Sequence, residues 1–329
     1  MQRIIIGTAG HVDHGKSALA KALTGVDPDR LPEEKARQMT IDLGFVFMPI
    51  SPGQEVAIID VPGHESLLKT MIAGANSIRM VLFVVAADEG IMPQTVEHFD
   101  VLRLLGVERG IIVITKIDRV QSDYLDLVED DIKKLVKGSF LEDAPICRLS
   151  TTTNEGLAEL RNNIITLCKK IEPLPDTGIF RCPIDRIFTI KGFGTIVAGT
   201  VVSGRLKISD TVEVLPIRKR SRLRNLQVHN QPVSEVFAGQ RVAFNLTDIG
   251  IQELVRGYEL SLPDYLLPTQ IVNGSVSILP DASKALINNE RVRLHKGTGE
   301  TMARAIILDK DKIEPGEKGY VQFRLERPI

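Results

Sequence analysis

Three cysteines in 329 residues, Cys147, Cys168 and Cys182, are too few and too widely spaced for a disulfide framework or a metal knuckle. They are expected to be ordinary buried thiols in a reducing compartment. No apolar run approaches the roughly 18 residues of a membrane-crossing helix. The longest, Met80–Ala87, has eight. The chain passes from Gln2 and Arg3 straight into its first apolar run, so no signal peptide is expected. These absences predict a cytoplasmic protein with no membrane partner. The net charge is −1, so no global positive field draws nucleic acid, and any RNA contact must rest on a local patch. Internal repeats and low-complexity segments are also missing.

What is present begins with alternation. Apolar runs lie at Arg3–Thr8, Glu55–Asp60, Met80–Ala86, Gly110–Thr115 and Ala144–Leu149. Helical spacing falls between them, near Ser17–Thr24, Ser66–Ala75, Thr95–Leu105, Tyr124–Lys137 and Leu157–Lys170. Continuous rather than alternating apolar strands imply burial on both faces, hence a doubly wound, mostly parallel α/β sheet. Glu172-Pro173-Leu174-Pro175-Asp176 reads as a linker. After it the helical period disappears. Short β-rich runs at Ile187–Ile190, Thr195–Val202, Thr211–Leu215 and Gln240–Asn245 suggest a small β-barrel. A proline-marked break from Leu262-Pro263 to Pro268 precedes a further β-rich stretch. The expected domains are therefore 1–172, 173–263 and 264–329.

The chemistry is concentrated early. Gly10-His11-Val12-Asp13-His14-Gly15-Lys16-Ser17 fits the phosphate-loop pattern and sits between a strand and a helix, the context that pattern requires. Its glycines let backbone N–H groups close around phosphate oxygens, and the following helix points its positive end at them. Lys16 is expected to reach the β- and γ-phosphates and the Ser17 hydroxyl to ligate Mg²⁺. Asp60-Val61-Pro62-Gly63-His64 ends a later buried strand, where a second acidic motif belongs. Asp60 is expected to hold Mg²⁺ through water, and the Gly63 N–H to contact the γ-phosphate. Thr40, in the polar loop Leu31–Leu43, is placed to ligate Mg²⁺ only while the γ-phosphate is present. His64 is either a surface loop residue or the group that orients the attacking water.

Thr115-Lys116-Ile117-Asp118, after another strand, bears on the choice of base. A carboxylate at Asp118 accepts from the N1–H and the exocyclic amine of guanine, and adenine offers neither. The Lys116 stem can lie along the base plane. Ser150-Thr151-Thr152, after the next strand, is placed to contact the guanine carbonyl through backbone N–H groups. GTP and GDP are favoured over adenine nucleotides.

The two motifs Gly-His-Val-Asp-His-Gly-Lys-Ser and Asp-Val-Pro-Gly-His, read together, resemble the translational GTPases, elongation factor Tu and its relatives, over the whole chain. A closer resemblance is to the branch of selenocysteine-specific translation elongation factors. It is carried by Thr24–Lys35 and Met39–Phe45, by Ile184–Phe188 and Lys191–Thr195, by His229-Asn230-Gln231-Pro232 and Ala238-Gly239-Gln240-Arg241, and by Thr115 in place of the commoner asparagine. The resemblance implies a GTPase domain followed by two β-barrels, the second incomplete here. It also implies a GTP-dependent carrier of selenocysteinyl-tRNA to the ribosome at a recoded UGA. Val12 and Met39 would flank His64 as an apolar gate. Phe45, Asp185, Arg186 and Arg241 match the family's aminoacyl pocket, where guanidinium groups would favour an anionic selenol over the hydroxyl of serine. Asp185 and Arg186 can equally form an ordinary barrel ion pair.

Two departures from the family pattern stand out. Gln38 occupies a position that is usually glycine, which puts the switching behaviour of the loop in question. The family also has a longer C-terminal part, with domains that grip an mRNA recoding element, so the chain is expected to be a fragment or to work with a separate part. The basic cluster Arg218-Lys219-Arg220-Ser221-Arg222-Leu223-Arg224 is either a phosphate contact or a solvated hairpin loop. Three alternatives to the carrier remain. They are an initiation-type gamma subunit, a regulatory GTP-binding module that never touches tRNA, and an ATP-using sulfurylase-type relative, which the guanine logic of Asp118 disfavours.

Overall fold

The computed structural model describes residues 4–28, 44–51, 54–61, 78–172, 178–190, 192, 194–228 and 231–329, and every element counted is among these. The predicted helix at Ser66–Ala75, the residues Gln38, Met39, Thr40, Gly63 and His64, and most of the predicted linker lie outside them. The chain divides into two compact units, Met1–Leu174 and Pro175–Ile329.

The first unit is built on a six-stranded sheet of β1 (Ile5–Ala9), β2 (Gly44–Ser51), β3 (Gln54–Asp60), β4 (Met80–Ala86), β5 (Gly110–Thr115) and β6 (Ile146–Arg148), in the order β2-β3-β1-β4-β5-β6. All neighbours are parallel except β2, which runs antiparallel to β3 at the edge. Between the strands lie α1 (Lys16–Thr24), α2 (Pro93–Leu104), α3 (Ser122–Val136) and α4 (Leu157–Cys168).

Strand alternation separates two cores. Ile4, Ile6, Met80, Leu82, Ile111 and Val113 face one side, with Leu19 and Leu23 of α1 and Leu160 and Ile164 of α4. Ile5, Val81, Phe83, Ile112 and Ile114 face the other, with Phe99 of α2 and Leu125, Val128 and Ile132 of α3. Each fully buried side chain of this size contributes roughly 1.5–3 kcal/mol, which explains why the strands read as unbroken apolar runs. The chain leaves β1 for β3 on one side and returns past it to β4 on the other. The carboxyl end of β1 therefore opens at the point where ligands bind in sheets of this kind. No helix among the described residues is long and apolar enough to cross a membrane. All three cysteines are free and buried. Burial pushes the Cys168 thiol up to about 12.

The second unit is all β. Its first part comprises β7 (Arg181–Ile190), β8 (Gly194–Thr200), β9 (Arg205–Lys207), β10 (Thr211–Leu215), β11 (Lys219–Val228), β12 (Gln231–Pro232), β13 (Glu235–Phe237), β14 (Arg241–Leu246) and β15 (Glu259–Ser261). Pairing runs β10-β15-β7-β8-β14-β11, and β11 pairs back onto β10 with Thr211 opposite Arg222. The closed six-stranded barrel leaves none of these strands as a bare edge. Phe180, Val197, Val212, Leu226, Phe244 and Leu260 fill it. The basic cluster is mostly strand β11, not a hairpin loop: Ser221, Leu223, Leu226 and Val228 point inward.

The second part comprises β16 (Ile271–Ser277), β17 (Leu286–Ile287), β18 (Glu290–Lys296), β19 (Gly299–Ile307), β20 (Lys312–Ile313) and β21 (Lys318–Leu325). It forms a four-stranded antiparallel sheet ordered β16-β21-β19-β18, with a small β17–β20 ladder. The tip of the β18–β19 hairpin is fastened to the barrel. Lys296 Nζ lies 2.6 Å from the buried Glu259 carboxylate, which Arg181 Nε also reaches at 2.5 Å. The Thr298 hydroxyl donates to the Ile184 carbonyl at 2.6 Å. Gly257 and Gly299 touch so closely that a Cβ on Gly257 would lie 2.4 Å from Gly299 Cα.

Candidate functional site

The loop Gly10–Ser17 leaves β1 at the switch point and enters α1. Its shape depends on residues that tolerate left-handed backbone: Gly10 at φ 143, Asp13 at φ 62 and Gly15 at φ 85. A Cβ on Gly10 would meet the Val84 carbonyl oxygen at 2.1 Å, so β4 packs directly against the loop. Gly15 caps α1 without a side-chain cap, which leaves the helix N-terminus open to an anion.

Lys16 is buried, and its ammonium crosses back over the loop, donating to the carbonyls of Gly10 at 3.0 Å and His11 at 2.5 Å. Burial lowers its pKa to about 8, with the charges of Asp60 and Asp13 opposing that shift. The Asp60 carboxylate is fully buried at the end of β3, and the Thr8 hydroxyl donates to its Oδ1 at 2.8 Å. The Val61 N–H in turn donates to Thr8 Oγ1 at 3.3 Å, tying the start of the second motif to β1. His14 is buried, and burial lowers its pKa to about 4, so it is neutral at ordinary pH.

The predicted base-recognition loop follows β5. Thr115 is buried, and its hydroxyl donates to the His14 carbonyl at 2.8 Å, joining two segments 101 residues apart. The side chain predicted to contact nucleotide is thus engaged with the phosphate loop itself. Lys116 adopts φ 56, and its ammonium lies 3.0 Å from Glu89 and 3.3 Å from Asp88. Asp118 is exposed, and its carboxylate has no hydrogen bond or ion pair among the described residues. Ser150 is buried, and its hydroxyl accepts from the N–H groups of Thr152 and Thr153, both at 3.2 Å, which shapes the turn carrying Thr151.

Two contacts of α2 were not legible in the motifs. Gly10 N–H donates to His98 Nδ1 at 3.1 Å, and Val12 N–H donates to Gln94 Oε1 at 3.4 Å. Burial, then the nearby charges of Lys16 and His11, lower the His98 pKa to about 3, which keeps the imidazole a neutral acceptor. The sequence offers only a glutamine and a histidine four apart as a signal, and the helical pattern, starting at Thr95, leaves the glutamine outside it.

In the second unit Asp185 and Arg241 form a bidentate pair. One arm closes Arg241 Nη2 on Asp185 Oδ1 at 2.7 Å, and the other joins Nη1 to Oδ2. Asp185 sits at a register shift between β7 and β8, and Arg241 opens β14 on the other side of β8. The pair of Asp185 with Arg241 runs across three strands, and Arg186 is half-buried. Phe45 lies in the first unit, on β2, buried in the core beside Ile59.

The fit to the implied ligands follows from these groups. An ammonium, an uncapped helix N-terminus and a loop that packs its Gly10 backbone directly against β4 suit a polyphosphate. The Ser17 hydroxyl and the Asp60 carboxylate are hard oxygen donors of the kind Mg²⁺ takes. A cradle of this build at the switch point of such a sheet, with a closed β-barrel following in the chain, is the mark of the translational GTPase class.

The elongation factor Tu GTP binding domain profile matches residues 1–170, and the elongation factor Tu domain 2 profile matches residues 194–261. The chain is 44% identical over 326 residues to the selenocysteine-specific elongation factor of Desulfomicrobium baculatum, covering 99% of this chain and 51% of that protein. It is 32% identical over 350 residues to that of Methanocaldococcus jannaschii, covering 100% of this chain and 74% of the relative. Among solved structures it resembles a bacterial selenocysteine-specific elongation factor, EF-Sec, with a TM-score of 0.87 and 34% identity over 100% of this chain and 54% of that one. It resembles the apo form of elongation factor SelB from Methanococcus maripaludis with a TM-score of 0.84 and 29% identity, over 100% of this chain and 73% of that one. The chain belongs to the family of selenocysteine-specific elongation factors, and it spans about half the length of the bacterial relatives.

Proposed function

We propose that this chain is the GTP-binding, tRNA-carrying part of a factor that delivers selenocysteinyl-tRNA to the ribosome for recoding of UGA in the cytoplasm. GTP is hydrolysed to GDP and phosphate when the ribosome triggers the reaction. The observation that carries the proposal is the phosphate loop, braced by Lys16 within and latched by Thr115 from the base-recognition strand.

In this reading the loop from Gly10 to Ser17 holds the β- and γ-phosphates. Asp118 selects guanine, and the turn at Ser150 and Thr151 closes on the base. Mg²⁺, when bound, neutralises phosphate charge and is held by Ser17, Asp60 and Thr40. The Thr8 hydroxyl, donating to Oδ1, keeps the Asp60 carboxylate aimed. His64 orients the attacking water, with Val12 and Met39 as its gate, and Gly63 reports the γ-phosphate. The domain limits follow the sequence division at 172 and 263.

Phe45, Asp185, Arg186 and Arg241 are assigned to the aminoacyl group. The bidentate bond to Asp185 offsets the charge of Arg241. Guanidinium groups at these positions would favour an anionic selenolate over a neutral hydroxyl. Recognition of the mRNA recoding element is assigned to the part of the family's length that this chain does not span.

Equilibrium binding of selenocysteinyl-tRNA and seryl-tRNA, each with a non-hydrolysable GTP analogue and with GDP, tests this. Preference for selenocysteinyl-tRNA in the GTP-analogue form alone is the expected result. Equal or absent tRNA binding in both nucleotide states would refute the carrier.

A further inference from the structure

We propose that His98 and Gln94 of α2 are positioning residues for the phosphate loop, and that their grip sets how long a guanine nucleotide stays bound. The proposal rests on the guanine-nucleotide reading of that loop.

The two side chains are four residues apart, hence on one face of the helix. They take the N–H groups of Gly10 and Val12, two residues apart in the loop. The helix that carries them is itself well fixed. Pro93 sits at its first turn, the Thr95 hydroxyl accepts from the Met92 N–H at 3.3 Å, and Phe99 and Leu102 are buried beneath it. The loop also abuts β4, because Gly10 has no room toward the Val84 carbonyl. Gly10 is therefore clamped between a strand and a helix.

The clamp bears on phosphate binding through one residue, Gly10, whose two flanking peptide groups are both held. The N–H of Gly10 is held by His98, and its carbonyl accepts from Lys16 Nζ at 3.0 Å. Releasing the N–H frees the Ala9–Gly10 peptide to tilt, and rotation at the Gly10 backbone carries over to the carbonyl that braces Lys16. Neither His98 nor Gln94 needs to touch nucleotide. The imidazole is buried and neutral, so Nδ1 is an acceptor throughout the working pH range. An apolar side chain of similar size would fill the space and leave the Gly10 N–H without a partner, while asparagine would restore an acceptor near the position of Nδ1.

The test is the dissociation rate of a fluorescent GDP from the full chain in the wild type, His98→Leu, His98→Asn and Gln94→Met, with thermal unfolding of each protein measured without nucleotide. Loss of one buried hydrogen bond predicts roughly tenfold faster release for His98→Leu. His98→Asn should recover most of that loss, to within about threefold of the wild type. Gln94→Met, at a half-exposed position, should release about two- to fivefold faster through its longer bond and carries the test if His98→Leu does not fold. Unchanged release in His98→Leu and Gln94→Met would overturn the proposal, even with a lowered melting temperature. Release from His98→Asn as fast as from His98→Leu would overturn it too, since packing and not the acceptor would then be at work. A wild type that binds no GDP would sink the nucleotide reading and the proposal together; normal GDP binding with unaltered rates sinks the proposal alone.

Discussion

Asp118→Asn is the most discriminating single substitution for the base-recognition loop. Asp118 lies in the short turn Ile117–Arg119 after β5, and the turn is anchored on both sides. Ile117 N–H donates to the Leu149 carbonyl at 3.4 Å, Lys116 pairs with Asp88 and Glu89, and Arg119 reaches Asp88 at 3.1 Å. The carboxylate is therefore held in place by its neighbours and remains uncommitted itself. Guanine offers it two N–H donors. Each charge-assisted bond contributes about 1.5–3 kcal/mol, but an exposed carboxylate exchanges water for them, so the lower end of that range applies. Asparagine keeps one acceptor and turns its amide N–H toward the exocyclic amine of guanine. The net loss should be about 2–4 kcal/mol, or roughly 30- to 1,000-fold in GDP affinity. Xanthine carries a carbonyl where guanine carries that amine, so the asparagine amide has an acceptor again and xanthosine diphosphate should bind the variant better than GDP. Calorimetric titration of both nucleotides into both proteins gives the four affinities. A variant that keeps GDP within fivefold of the wild type, or gains nothing for xanthosine diphosphate, would refute the role of Asp118.

Thr115→Val keeps the shape but strips the hydroxyl from the buried His14 carbonyl, and should weaken GDP binding by about 1–3 kcal/mol in the same titration, while Thr115→Ser largely preserves it. Gly10→Ala has nowhere to put its methyl group and should abolish measurable GDP binding; wild-type affinity in the alanine variant would show that β4 yields at Val84. Glu259→Gln removes a buried charge from between Arg181 and Lys296, and because both partners are partly exposed the cost should be moderate, about 2–3 kcal/mol by denaturant unfolding at pH 7. Burial alone raises the carboxyl's pKa, but the Arg181 hydrogen bond and the Lys296 charge win and lower it. A lowered folded-state value stabilises above the ordinary glutamate range, near 4.3, and the contribution is lost as pH falls through the folded value. The gap between wild type and variant should thus be full at pH 6 and close in stronger acid; a pH-independent gap would mean that packing, not charge, is lost.

The sheet of the first unit was legible because its inner strands are buried on both faces. Met80–Ala86 and Gly110–Thr115 appear in the structure with the bounds that their apolar runs suggested. β2 was not anticipated. Gly44–Ser51 is an antiparallel edge strand with a proline inside it, and Pro49 disguises it. Helix α2 begins two residues earlier than its pattern, at Pro93, which brings Gln94 into the helix and into reach of the loop. The phosphate-loop pattern was legible because it is local, eight consecutive residues that the structure places between a strand and a helix. The groups that brace them are 70 to 101 residues away, at Val84, His98 and Thr115, and only the strand order brings them together.

The same distinction reshapes the basic cluster. In sequence, Arg218 to Arg224 is a dense run of cations. In the barrel, Arg218 and Arg220 both meet Asp264 and Glu213, and Lys219 meets Glu253. These acids are 5 to 46 residues away and reach the cations because β10, β11 and the segment after β15 are neighbours. Arg222 and Arg224 are exposed, and among the described residues no acid reaches them. A phosphate contact on this strand therefore falls to Arg222 and Arg224, since each paired arginine would have to give up a carboxylate before it could release a counterion from RNA. Neutralising Arg222 and Arg224 together should flatten the salt dependence of RNA binding by about two counterions, and neutralising Arg218 and Arg220 should change it less. The reverse ranking would mean that the ion pairs to Asp264 and Glu213 open when RNA arrives.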